Sequence, residues 1–127
     1  MREDLTNHGF EALYTAEEVH NAIKKDGTTL VVVNSVCGCA AANARPGAKM
    51  SVTGGKRPDN LVTVFAGVDR EAVDAARGEM VPFPPSSPSM ALFKNGELVH
   101  MIERHHIEGR PAEMIAENLK GAYDEHC

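Results

Sequence analysis

The sequence predicts an α/β domain with a central mixed sheet of four to five strands and helices on both faces. Three observations carry this. The runs Leu30-Val31-Val32-Val33 and Leu61-Val62-Thr63-Val64-Phe65-Ala66 are continuously apolar and rich in β-branched residues, the pattern of strands buried on both faces. Helical patterns precede the first run, separate it from the second and follow the second. Further on, Ser89 to Lys94 and Glu97 to Glu103 flank Asn95-Gly96, a type I′ turn pair, and so form an antiparallel hairpin. A chain of 127 residues, 43% apolar, makes one domain over residues 1–127, with a core large enough to need no staples.

Each element has its own local reason. Arg2 to Thr6 reads as the last turn of a helix ended by Gly9. Thr15 and Glu18 have the spacing of a reciprocal capping box, so a helix runs from Ala16 to about Lys25. It buries Val19, Ala22 and Ile23 and stops at Gly27. The strand Thr29 to Asn34 follows, then a helix that starts near Cys37 and reaches Met50, kinked or divided by Pro46. Residues Gly54 to Asn60 form a surface turn. After the second strand, Asp69 caps a helix through Gly78 with Ala72, Val73 and Ala76 inward. Met80 to Ser89 holds four of the seven prolines and is a shaped loop. Pro111 opens the last helix, with Met114, Ile115, Leu119 and Ala122 facing the sheet before a tail from Asp124 to Cys127.

Composition removes several functions. A net charge of −5, with basic residues scattered among acidic ones, argues against a nucleic-acid groove or an anionic membrane surface. Small molecules and proteins are the expected partners. The segment Met1-Arg2-Glu3-Asp4 is unlike a signal peptide, and the longest wholly aliphatic run is Leu30 to Val33, so a cytoplasmic location is expected. Gly54-Gly55-Lys56 lacks the Gly-Lys-Ser/Thr of a phosphate loop. Three cysteines, two of them almost adjacent, do not make a disulfide framework and suit thiols kept reduced or cycling.

The chemistry is expected where the first core strand gives way to small residues, at Val36-Cys37-Gly38-Cys39-Ala40. Unpaired N–H groups and the positive end of the helix dipole gather at a helix start, and both favour thiolate over thiol. Residues i and i+2 of a helix point apart, so a Cys37–Cys39 bond distorts the turn, and Gly38 lets the backbone yield. A strained disulfide is easily reduced, which suits exchange. Three other readings stand beside this one: inert buried cysteines, a soft-metal site needing two further ligands, none of which lies at zinc spacing, and a non-catalytic redox sensor whose Cys37–Cys39 bond forms reversibly without turnover. His105 and His106 read as solvated or locally hydrogen-bonded, and Cys127 as an exposed thiol without catalytic role or else a resolving or intermolecular partner.

The element order and the segment Ser87-Pro88-Ser89-Met90-Ala91-Leu92-Phe93-Lys94-Asn95-Gly96-Glu97 resemble the thioredoxin fold. That resemblance implies a cis Pro88 lying against the cysteines. In place of Cys-x-x-Cys stands Asn34-Ser35-Val36-Cys37-Gly38-Cys39-Ala40-Ala41. With Ala44-Arg45-Pro46, Pro58-Asp59-Asn60, Val64-Phe65-Ala66-Gly67, Arg104-His105, Ile107-Glu108-Gly109 and His126-Cys127, the chain resembles the bacilliredoxins along its whole length. The visible departure is at the N-terminus, where family members often carry more chain before the first helix. The resemblance implies removal of bacillithiol from S-thiolated cytosolic client proteins, with weak reductase or isomerase activity. Cys37 would attack and Cys39 would resolve, or be bypassed by free bacillithiol. Gly38, Ser87, Pro88 and Ser89 would contact the substrate. No bound cofactor or metal is expected, bacillithiol or another small thiol acts as co-substrate, and the protein is expected as a monomer or weak homodimer.

Overall fold

A computed structural model describes residues 9–24, 27–35, 46–52, 57–66, 70–80, 89–107 and 110–127, with backbone only at 34–35, 65–66 and 104–105. In chain order the elements are β1 (Glu11–Ala12), α1 (Ala16–Ile23), β2 (Thr28–Ser35), a helical segment at 46–51, β3 (Asn60–Ala66), α2 (Arg70–Glu79), β4 (Ser89–Lys94), β5 (Glu97–Ile102), α3 (Arg104–Ile107) and α4 (Ala112–His126). The five strands lie in the order β1-β3-β2-β4-β5. β1 and β2 each run parallel to β3, whereas β4 is antiparallel to both β2 and β5, so the sheet is mixed as expected.

β2 is central, and its alternation divides the core. Leu30 and Val32 face one layer with Ala48, Val52, Ile115, Leu119 and Tyr123. Val31 and Val33 face the other with Val19, Ile23, Val73 and Ala76. All four β2 residues are fully buried, which is why the strand reads as an unbroken apolar run and not as an alternating one. The α1 start is built as the sequence requires. The Thr15 side chain accepts from the Glu18 N–H at 3.2 Å, and Glu18 Oε1 accepts from the Thr15 N–H at 3.2 Å. The hairpin turn holds Asn95 at φ 51° and Gly96 at φ 86°, the two positive values of a type I′ turn.

Four local expectations change. β1 was not foreseen: two residues carry no periodic signal, and the strand exists because Glu11 and Ala12 extend the parallel edge of β3. Met114 does not face the sheet; it is 50% exposed, while Ile115, Ala116, Leu119, Ala122 and Tyr123 form the buried stripe. At 100° per residue Met114 falls about 140° from the centre of that stripe. The expected tail is instead the last turn of α4, closed by a 2.8 Å bond from the Cys127 N–H to the Tyr123 carbonyl. A short helix, α3, follows β5. The expected turn of helix at Arg2 to Thr6, the Asp69 cap, most of the Met80 to Ser89 loop and the first turns of the helix after Cys37 lie outside the described residues.

Candidate active site

Cys37, Gly38, Cys39, Ser87 and Pro88 also lie outside the described residues, and what is described is the frame that leads to them. β2 and β3 run side by side to a common end, where Ser35 is paired with Ala66. Cys37 follows Ser35 by two residues. β4 enters on the other flank of β2: its first residue, Ser89, pairs with Val33 and directly follows Pro88 in the chain. Ser89 is buried, at 1% exposure. The cysteine segment and the proline loop are therefore attached to neighbouring strands at the same end of the sheet.

A third element returns to that end. β5 is antiparallel to β4 and its Ile102 pairs with Met90, so residues 103–107 sit beside the start of β4. Here the Glu103 N–H donates to His106 Nδ1 at 3.1 Å. An accepting Nδ1 leaves the imidazole proton on Nε2, and the ring is locally hydrogen-bonded, as the sequence suggested. Ile107 is fully buried and anchors the turn in the layer of Val32 and Met90. The sequence alone gives no position for residues 103–107; the signal is in the hairpin, since a strand that starts at Ser89 and turns at Asn95-Gly96 must bring its partner back to where it began, the Ser35 end of the sheet.

The helical segment at 46–51 continues the chain beyond the cysteines and is fixed to α4. A Cβ at Gly47 would lie 2.7 Å from Ile115 Cγ2 and 2.8 Å from Ile115 Cβ, so the two backbones approach as only glycine permits. At the far end Ser51 Oγ donates to the Ala48 carbonyl at 2.7 Å and lies 3.0 Å from the Tyr123 hydroxyl. Serine has one hydroxyl hydrogen, already given to Ala48, so Tyr123 is the donor. Burial pushes the Tyr123 phenol well above its ordinary range, and the bond to Ser51 and the nearby Arg57 charge only moderate this.

Cys127 occupies the opposite end of β2. Its Sγ donates to Thr28 Oγ1 at 3.4 Å, and Thr28 and Ser35 bound a strand of eight residues, about 23 Å long at 3.3 Å per residue. Among the described residues no three His, Cys, Asp or Glu side chains are placed to hold a metal ion. No helix among them is long and apolar enough to cross a membrane.

Comparison with known proteins extends this frame over the whole chain. A family described as disulphide isomerase matches residues 1–127. A bacilliredoxin of Cytophaga hutchinsonii is 58% identical over 125 residues, 98% of this chain and 93% of the relative. A bacilliredoxin of Halalkalibacterium halodurans is 56% identical, covering 100% of this chain and 89% of its own. Among solved structures, mitochondrial thioredoxin 3 of Saccharomyces cerevisiae in its oxidized form superposes with a TM-score of 0.63 at 19% identity, covering 96% of this chain and 98% of its own. Thioredoxin of Trypanosoma brucei brucei gives 0.62 at 18% identity, covering 91% of each chain.

The fold is the thioredoxin fold, and family and fold together support a thiol-disulfide oxidoreductase. The chain belongs to the bacilliredoxin family.

Proposed function

We propose that this protein removes bacillithiol from S-bacillithiolated cytoplasmic proteins by thiol-disulfide exchange at Cys37 and Cys39. The observation that carries the reading is a Cys-Gly-Cys motif two residues after Ser35, in a chain that matches bacilliredoxins over its full length. The chain leads into that motif from the shared end of β2 and β3, and β4, which starts directly after Pro88, pairs with β2 on its other flank.

The Cys37 thiolate attacks the bacillithiol sulfur of the client mixed disulfide. One S–S bond breaks and one forms, the client leaves as a thiolate and takes a proton from water, and Cys37 carries the bacillithiol. Cys39 then attacks Cys37 and releases bacillithiol, leaving a Cys37–Cys39 disulfide for reduction; alternatively free bacillithiol attacks the capped Cys37 and leaves as its own disulfide. Either route conserves electrons. Gly38 lets the turn deform for the first route, and backbone groups at Ser87-Pro88-Ser89 pair with the client or the small thiol. The cytoplasm suits this chemistry because near-adjacent thiols there remain available for cycling.

A second reading, a general disulfide reductase or isomerase, draws on the description of the matching family. Turnover of one client protein carrying either bacillithiol or glutathione separates the two. The first reading requires faster release of bacillithiol, no release by Cys37→Ser, and a retained mixed disulfide on Cys39→Ser. Equal rates for both caps favour the second reading, and full activity of Cys37→Ser removes both.

A further inference from the structure

The turn after β5 is built around an imidazole. Its backbone closes as a helical turn, with the His106 N–H donating to the Glu103 carbonyl at 2.9 Å. The returning bond is less ordinary: the Glu103 N–H donates to His106 Nδ1 at 3.1 Å. Glu103 stands directly before α3, and the third residue of that helix reaches back to its N–H, the part that a glutamate plays in a capping box. At the start of α1 the Glu18 carboxylate plays it for Thr15. A glutamate side chain is long and rotatable, whereas the imidazole is planar and turns about two bonds, so this version fixes the ring together with the turn.

The location gives the turn a use. Met90 pairs with Ile102, and one further step in that register sets Glu103 opposite Ser89. Ser89 directly follows Pro88 and pairs on its other flank with Val33, near the end of β2. Ile102 and Ile107 are buried on either side of the turn, while Glu103 and His106 are half-buried, so the turn is anchored in the core and still meets the surface. β5 lies two strand spacings from β2, about 10 Å. The imidazole is thus set on the Ser89 flank and not on the strand that leads to Cys37.

We propose that His106 is a positioning residue for the client protein: by accepting the Glu103 N–H, its Nδ1 keeps residues 103–107 folded as a rigid rim beside Ser89, against which the client polypeptide is aligned for exchange. This rests on the exchange reaction proposed above and adds to it a residue that acts on client binding, through the turn, and takes no proton from the thiol.

The test compares His106→Ala, His106→Asn and His106→Gln in the full chain. Asparagine offers an acceptor oxygen at the branch length of Nδ1, and glutamine reaches one bond further, to that of Nε2. With a bacillithiolated client, His106→Ala is expected to raise KM about fivefold and to leave kcat and its pH profile unmoved. His106→Asn is expected within about twofold of the wild type, and His106→Gln to behave as His106→Ala. Exchange of Cys37 with the disulfide of bacillithiol, which brings no polypeptide, is expected to be unchanged throughout. A KM unmoved by His106→Ala, rescue by Gln and not by Asn, a lowered kcat or shifted pH profile, or an equal loss with the small disulfide would overturn the proposal. Where His106→Ala fails to fold, the Asn and Gln variants, closer in volume to histidine, still decide. Absence of turnover by the wild type removes the exchange reading and this proposal together, whereas wild-type turnover with an unmoved KM removes this proposal alone.

Discussion

The two ends of β2 differ in what the described side chains add to the strand ladder. At the Ser35 end, Ser35 pairs with Ala66, Val33 with Ser89, and β5 returns beside β4. At the Thr28 end the ladder continues through Thr28 paired with Lys94, and side chains reinforce it, with Thr28 bonded to Asp59 and Cys127, and Tyr123 bonded to Ser51. A backbone ladder positions chain segments but leaves the residues beyond it to their own chemistry, whereas interlocked side chains fix individual atoms. The difference teaches where substitutions should act on turnover and where on stability.

The largest effect is expected beyond the ladder. Cys37→Ser is expected to abolish de-thiolation without lowering the unfolding midpoint, which a coupled turnover and denaturant titration would read. Loss of stability with turnover retained would reverse the contrast between the ends. The next effect is on the support between them. Gly47→Ala places a methyl 2.7 Å from Ile115 Cγ2, an overpacking expected to cost about 1–3 kcal/mol in urea unfolding. No loss would mean that α4 and the 46–51 segment are not pressed together.

Tyr123→Phe sharpens the Thr28 end. It removes the donor to Ser51 at a cost of about 1 kcal/mol near neutral pH. The sign of its pH effect follows from linkage. The folded state holds the phenol proton above the ordinary range, so no difference exists below about pH 10, and above it the unfolded chain releases a proton that the folded chain keeps. Wild-type stability is therefore expected to fall as pH rises past about 10, more steeply than that of Tyr123→Phe. Parallel curves would mean that the phenol is not desolvated. Smallest of all, Cys127→Ser is expected to leave de-thiolation within about twofold, because Ser keeps a hydroxyl at the Thr28 bond and Ser35, from which the chain leads to Cys37, ends the strand that Thr28 begins. A large loss of turnover would join the two ends that the geometry separates.

Much of this was legible in the residues. The run Leu30 to Val33 announced a strand buried on both faces, Thr15 with Glu18 announced the start of α1, and Asn95-Gly96 announced the hairpin and its turn type. Each is a local rule that tertiary context did not need to override. β1 escaped because a two-residue strand exists only by pairing with β3. The end of α4 was misread because Asp124-Glu125-His126 is polar, while the helix is held there by Tyr123 and the Cys127 cap. Met114 is apolar yet exposed, because its angle on the helix sets it off the buried stripe. For the candidate site, the motif at Cys37 and Cys39 was read directly, but the return of residues 103–107 to the same end required the topology of β4 and β5. The placement of Cys127 against Thr28 required the packing of α4, which no short motif encodes.

One measurement tests the central claim most directly. Cys39→Ser protein is mixed with a bacillithiolated client and the small-thiol adduct is mapped by mass spectrometry to individual cysteines. The account predicts that the cap arrives first and stoichiometrically on Cys37, with the client thiol released at the same rate. A cap that appears only on Cys127, or client release with no adduct on Cys37, would contradict it.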